Sequence, residues 1–311
     1  MILSDDIFTH EADAFIGHMP PSLQSHQAEA VARAIDGDSY LLNMVRSSRN
    51  TQPQLPDGVV ASSPAPNLRL YTPVSRSRQL PLLVYFHGGG WTFGSINSCS
   101  AFCAALVARG DVMVLAVDYR LAPENPYPAG LDDCVDAIEF ARKHALDWGA
   151  DPLRISAGGD SSGGNLAIAS SLRLPDALSS LVLFYPVTKA FADGSQSWNT
   201  YGKGYGLDAR LMEEFNRAYT IDANALHPLI SPACAPFAAL THLPPVLLIG
   251  AGRDILCQQG TDFAALLGSL GVEVEHIMIQ GAVHLFITVD GQPTARRQSV
   301  DIAHRWLSRK Q

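Results

Sequence analysis

Short unbroken apolar runs along this chain alternate with stretches in which apolar residues recur every three or four positions. The runs at 80–86 and 112–117 are too short for helices and have no polar face, so each predicts a strand buried on both sides, and 181–185, 246–251 and 272–279 predict further strands. Between them, 97–109, 131–145, 261–270 and 295–307 carry helical spacing; in 131–145 it puts Leu131, Cys134, Val135, Ile138 and Ala141 on one face. A further apolar run entering 153–168 meets a tight glycine turn and continues as a helix. Strands alternating with helices of this length require a mostly parallel sheet wrapped on both faces, an α/β fold.

Two regions break the rhythm. Residues 25–43 have loose helical spacing, and Pro53, Pro56, Pro64 and Pro66 then exclude a long helix before a short strand at 67–71. Residues 186–228 hold several glycines, Trp198, Tyr201, Tyr205 and a helix over 209–219, which predicts an insertion above the sheet. We therefore expect one domain over 1–311, with cap elements at about 1–50 and 187–228.

Composition narrows the class without naming it. A hydrophobic content of 47% with 17% charged residues describes a globular chain, and no run approaches the roughly eighteen apolar residues of a membrane span. The net charge of −8, with no clustered Lys and Arg, excludes a broad nucleic-acid surface. Asp5 and Asp6 stand where a secretory signal would carry basic residues, so the expected compartment is the cytoplasm. The five cysteines, Cys99, Cys103, Cys134, Cys234 and Cys257, form no C-x-x-C pair and read mostly as small core residues.

The candidate chemistry sits at strand ends. Gly159-Asp160-Ser161-Ser162-Gly163 reads G-x-S-x-G, a pattern whose glycines let a serine stand on a strained strand-to-helix bend. A serine needs a base, and the base an orienting group. His284 and Asp254 both follow predicted strands, and carboxyl ends of parallel strands meet at one sheet edge. Asp254 also reads as a helix cap, and Asp160 is the weaker acid, better suited to fixing the turn or its neighbouring loops. His87-Gly88-Gly89-Gly90, after the 80–86 strand, bares backbone N–H groups at the same edge. The N–H groups of Gly89, Gly90 and Ser162, with Gly88 as a further donor, are candidates to stabilise an oxyanion. His87, Tyr119, Arg120 and Glu124 read as structural, while Trp91, Trp198, Tyr201 and Tyr205 are candidates for a pocket wall or a small local core.

From about residue 65 to 310 the chain resembles the hormone-sensitive lipase-like carboxylesterases, family IV, of the α/β-hydrolase superfamily. The carriers are the His87-Gly88-Gly89-Gly90 run, Asp118 to Glu124 with Pro126 and Pro128, Gly159 to Gly164, Asp254 and His284; Ser162 stands where alanine is commoner. The resemblance implies a Ser161 nucleophile, a His284 base oriented by Asp254, and an acyl-enzyme route to hydrolysis of small or short-to-medium acyl esters. No metal or organic cofactor is implied, no nucleic acid and no stable membrane insertion, and a homodimer is compatible with it. The same three residues also suit amide or formamide hydrolysis or acyl transfer, and the scaffold suits a non-catalytic small-molecule receptor. An antiparallel chymotrypsin-like reading conflicts with a serine placed between a buried strand and a helix.

Overall fold

The computed structural model describes residues 5–50, 54–76 and 78–309. Pro53 lies outside them. The chain opens with helices α1 (Asp5–His18), α2 (Leu23–Ile35) and α3 (Tyr40–Ser48), then strands β1 (Val59–Ala65), β2 (Leu68–Pro73) and β3 (Leu80–Phe86). Next come α4 (Ser100–Val107), β4 (Met113–Val117), α5 (Ala129–Trp148), β5 (Ala150–Asp160), α6 (Ser162–Arg173) and β6 (Leu181–Phe184). The inserted segment holds α7 (Gln196–Tyr201) and α8 (Ala209–Tyr219), and the chain closes with α9 (Phe237–Leu240), β7 (Val246–Ala251), α10 (Cys257–Ser269), β8 (Val274–Ile279) and α11 (Pro293–Ser308).

Among the described residues eight strands form one sheet in the order β1-β2-β4-β3-β5-β6-β7-β8. From β4 to β8 every pairing is parallel, and β2 joins β1 and β4 antiparallel. The alternation along β3 explains the layers. Leu82, Val84 and Phe86 enter a core shared with α5, α6 and α10, while Leu83 and Tyr85 enter a second core shared with α4 and α11. Both faces of the strand are covered, which is why its sequence is unbroken apolar.

Three differences from the sequence pattern have local causes. Helical spacing over 25–43 is interrupted at Gly37, whose φ of +98° ends α2 and separates it from α3. Helix α1 was not anticipated; its Glu11 carboxylate accepts hydrogen bonds from the Thr294 backbone N–H (2.9 Å) and hydroxyl (2.6 Å), which ties it to α11. The proline-rich stretch contains β1, and Pro64 is tolerated there because β1 is an edge strand whose register shifts between Ser62 and Ala65. Among the described residues no helix is long and apolar enough to cross a membrane.

The sheet places the site through one register. Chain connections run from β3 outward to β4 and from β5 outward to β6 on the other side, so the loops leaving β3 and β5 open beside each other. Phe86 of β3 pairs with Gly159 of β5. Contact is close enough that a Cβ on Gly163 would lie 2.0 Å from the Phe86 carbonyl oxygen. Gly163→Ala should therefore lower the thermal midpoint by at least about 5 °C, because backbone cannot yield there. Gly268→Ala in α10, where nothing lies within 4 Å of the added carbon, should change it by no more than about 2 °C. Differential scanning fluorimetry of the two variants checks both, and equal midpoints would contradict the packing argument.

Candidate active site

Ser161 stands between the end of β5 and the start of α6 with φ 54° and ψ −117°, a conformation that L-residues rarely adopt. Its N–H donates to the Phe184 carbonyl (2.9 Å) and its own carbonyl accepts from Val187 N–H (3.1 Å), so β6 and its continuation hold the strained turn. Three other non-glycine residues with positive φ flank it on the same sheet edge: Trp91 (57°), Tyr185 (34°) and Leu285 (73°). Such backbone costs about 1–3 kcal/mol per residue and persists only where its surroundings over-determine it.

The loops after β7 and β8 bring the two partners. His284 Nε2 lies 3.1 Å from Ser161 Oγ, and His284 Nδ1 lies 2.6 Å from Asp254 Oδ2. With a carboxylate at Nδ1, that nitrogen carries the proton and Nε2 presents its lone pair to the serine hydroxyl. Asp254 is fixed in turn by the Leu256 N–H, which donates to Oδ1 (3.0 Å). His284 is held from its backbone side by Gln292, whose amide donates to its carbonyl (3.1 Å), and its ring lies 4.4 Å from that of Tyr185. Ser161, Asp254 and His284 are all buried.

The glycine loop after β3 is only partly available to a ligand. Gly88 N–H donates to Asp160 Oδ1 (3.0 Å), so the structure removes Gly88 from the candidate oxyanion donors: its hydrogen is already spent. Gly89 and Gly90 N–H have no hydrogen-bond partner among the described residues, and the Ser162 N–H, in the first turn of α6, has no acceptor within that helix. A Cβ on Gly90 would fall 2.1 Å from the Phe215 ring, so glycine is required where α8 crosses the loop.

Asp160 anchors this loop. Its Oδ1 accepts from both Gly88 N–H and Tyr85 O–H (2.9 Å) beneath the turn. Burial pushes its carboxyl up to about 6, against the pull of Tyr85, Gly88 and His284 in the other direction. His87 also serves the loop. Its ring stacks on Tyr119 at 4.3 Å, Tyr119 O–H donates to the His87 carbonyl (2.7 Å), and burial lowers the imidazole pKa. Arg120 pairs with Asp133, and Glu124 with Arg46.

Two adjoining cavities lie beside the serine turn, and only the smaller reaches Ser161. The smaller, about 30 Å³, is walled by Ser161, His284, Gly89, Gly90, Phe93 and Phe215, with Gln24, Gln27 and Arg49 from the N-terminal segment and Leu207 and Leu211 from the insertion. A larger one of about 420 Å³ adjoins it and shares Arg49, Gly89 and Leu285. Trp91 lines neither. It stacks on Tyr219 at 4.4 Å in the core, and Trp198, Tyr201 and Tyr205 are likewise absent from both walls. Phe93, Phe215, Gln27 and Arg49 were not singled out in the sequence, because none belongs to a motif and each reaches the cavity only through tertiary packing.

Residues 83–288 match the family model for the alpha/beta hydrolase fold. The chain belongs to that family. Within it the similarity is to the hormone-sensitive lipase-like branch. An arylesterase of Saccharolobus solfataricus is 37% identical over 74% of this chain and 75% of its own length. An ethyl acetate hydrolase of Pseudomonas putida is 36% identical over 71% of each. Among solved structures, a thermostable esterase from Pseudomonas putida superposes with a TM-score of 0.80 at 26% identity, covering 96% of this chain and 95% of the other.

The buried carboxylate beneath the serine turn bears on stability, with a sign opposite to that of a salt-bridged one. Folded Asp160 keeps its proton up to about pH 6, whereas its ordinary value is 3.8, so the ionised form is disfavoured by folding. The penalty is fully present above that window and disappears as pH falls through it. Asp160→Asn retains an Oδ1 acceptor, so it should be at least as stable as the wild type at pH 8 and lose that advantage near pH 4. Thermal midpoints at the two pH values check this; a deficit of equal size at both would contradict it.

Proposed function

We propose that this protein is a serine carboxylesterase acting on small or short-to-medium acyl esters. The observation that carries the reading is the buried chain of hydrogen bonds from Ser161 through His284 to Asp254, at 3.1 Å and 2.6 Å. The names of its relatives, an arylesterase and an ethyl acetate hydrolase, support the ester class.

In this reading Ser161 Oγ attacks the ester carbonyl as its proton passes to His284 Nε2, and the carbonyl oxygen becomes an oxyanion. Gly89, Gly90 and Ser162 donate their N–H groups to that charge, which is worth most because the donors are fixed before it develops. Collapse expels the alkoxide, which takes the proton from His284, and leaves the acyl group on Ser161. Water then attacks the acyl-enzyme with His284 again as base, releasing the acid and restoring the serine. Asp254 stabilises the imidazolium in both halves and keeps its orientation.

We further propose that the N-terminal helices and the 187–228 insertion form a cap over this site. Support comes from Gln24, whose amide donates to the Gly206 carbonyl (3.0 Å) and accepts from Asp208 N–H (3.1 Å), joining the two segments beside the smaller cavity. The compartment we propose is the cytoplasm, supported by five free thiols; recovery of the native protein outside the cell would contradict it.

Ser161→Ala should reduce kcat on 4-nitrophenyl acetate by about 10⁴-fold or more without unfolding the chain. Turnover within about tenfold of the wild type would remove Ser161 from its assigned role. Across 4-nitrophenyl esters from acetyl to palmitoyl, kcat/KM should fall steeply beyond about eight carbons, since the cavity at the serine holds only about 30 Å³ and the adjoining one about 420 Å³. A rising or flat profile would contradict the assignment to short and medium chains.

A further inference from the structure

Arg46 and Arg49 stand three residues apart at the end of α3 and meet different fates. Arg46 is fully engaged: its guanidinium donates to the Thr92 carbonyl (2.8 Å), the Ala122 carbonyl (2.8 Å) and both carboxylate oxygens of Glu124 (2.8 and 2.9 Å). Arg49 makes no hydrogen bond and no ion pair through its side chain among the described residues. Its one directed contact is with the face of Phe93, 5.2 Å from guanidinium carbon to ring centroid. Yet it is half-buried, and it lines both the Ser161 cavity and the 420 Å³ cavity beside it.

A guanidinium stays charged under protein conditions, so withdrawing it from water without a counter-charge is costly unless something completes it. Burial does lower the Arg49 pKa, and desolvation is the sole cause. The carboxylates on the two cavity walls are committed elsewhere. Asp160 faces Gly88 and Tyr85, and Asp290 pairs with Arg296 at 2.7 Å while lying almost wholly in solvent. Nor is Arg49 loosely placed. Arg46 pins the chain on one side, and Asn50 pins it on the other, its Oδ1 accepting from Ser95 Oγ (3.0 Å) and Asn97 Nδ2 (2.6 Å). Next to it on the smaller cavity's wall, Gln27 is buried with its Oε1 unpartnered, an amide that can turn to present its NH₂ to an anion.

From this geometry we propose that Arg49 is a specificity-determining residue that binds a carboxylate on the substrate, so that the preferred esters are half-esters of dicarboxylic acids. The inference rests on the esterase reading and names its substrate class. The acyl chain runs from Ser161 into the larger cavity, and its terminal carboxylate meets the Arg49 fork, a geometry suited to two parallel hydrogen bonds. Phe93 and Leu285 cover the methylenes between the two ends.

The test compares two substrate pairs of equal acyl length: 4-nitrophenyl hydrogen glutarate against 4-nitrophenyl pentanoate, and 4-nitrophenyl hydrogen adipate against the hexanoate. The quantity read is the ratio of kcat/KM, half-ester over neutral ester, in the wild type, Arg49→Gln and Arg49→Lys. In at least one pair Arg49→Gln should lower the ratio by roughly ten- to a hundredfold, mainly through KM of the half-ester. Arg49→Lys keeps the charge and loses the fork, and should lower it by a smaller factor; it supplies the answer where Arg49→Gln does not fold. A ratio within about twofold of the wild type in both pairs, for every variant that folds, overturns the assignment. Because each ratio contains a neutral ester, the two readings fail separately. Neutral esters cleaved with an unchanged ratio would overturn only the role of Arg49, whereas no Ser161-dependent cleavage of any ester by the wild type would overturn the esterase reading itself.

Discussion

The whole site depends on the register in which Phe86 of β3 lies beside Gly159 of β5. That pairing sets the glycine loop after β3 against the serine turn after β5, and the fit leaves no room for a Cβ at Gly163. Once these two strand ends are fixed, β6 closes the turn through the Ser161 N–H and Phe184 carbonyl, and β7 and β8 deliver Asp254 and His284 from their adjacent ends. Among the described residues, four of the six non-glycine residues with positive φ lie along this edge, namely Trp91, Ser161, Tyr185 and Leu285. Local strain is tolerated there because the parallel sheet below is buried on both faces and cannot relax to relieve it.

Two buried carboxylates share this edge and serve it in opposite ways. Asp254 faces an imidazole N–H and a backbone N–H, so its charge has a partner able to become cationic. Asp160 faces a backbone N–H and a phenol, which pull its pKa down but cannot offset its burial, and burial raises it. In the proposed esterase the first carboxylate is matched to a proton moving through His284. The second holds the glycine loop by accepting hydrogen bonds, which a neutral acceptor also does.

Legibility in the sequence followed the same physics. Buried parallel strands write themselves as apolar runs, so β3, β4, β6 and β7 could be read to within about a residue or two, and the serine turn announced itself through glycines that backbone contact makes obligatory. Edge elements were harder. Strand β1 is exposed along most of its length and carries Pro64, and α1 buries little beyond Phe8 and Ala12, so its amphipathic contrast is weak. Gly88 looked like a free donor because sequence shows the glycine but not the aspartate seventy-two residues later that captures its N–H. Trp91 was open between pocket and core until its stacking on Tyr219 was visible. Arg49 has no motif at all; only the contrast with Arg46, and the cavities on either side, single it out.

In the proposed esterase Ser161 is the one nucleophile activated by its surroundings. The most direct test of that role is labelling with a fluorophosphonate, followed by intact mass and peptide mapping. A single adduct is expected, on Ser161, formed rapidly in the wild type and at least about a hundredfold more slowly in His284→Ala. A wild-type protein that hydrolyses esters while its adduct maps to another residue, or that labels Ser161 equally fast without His284, would contradict it.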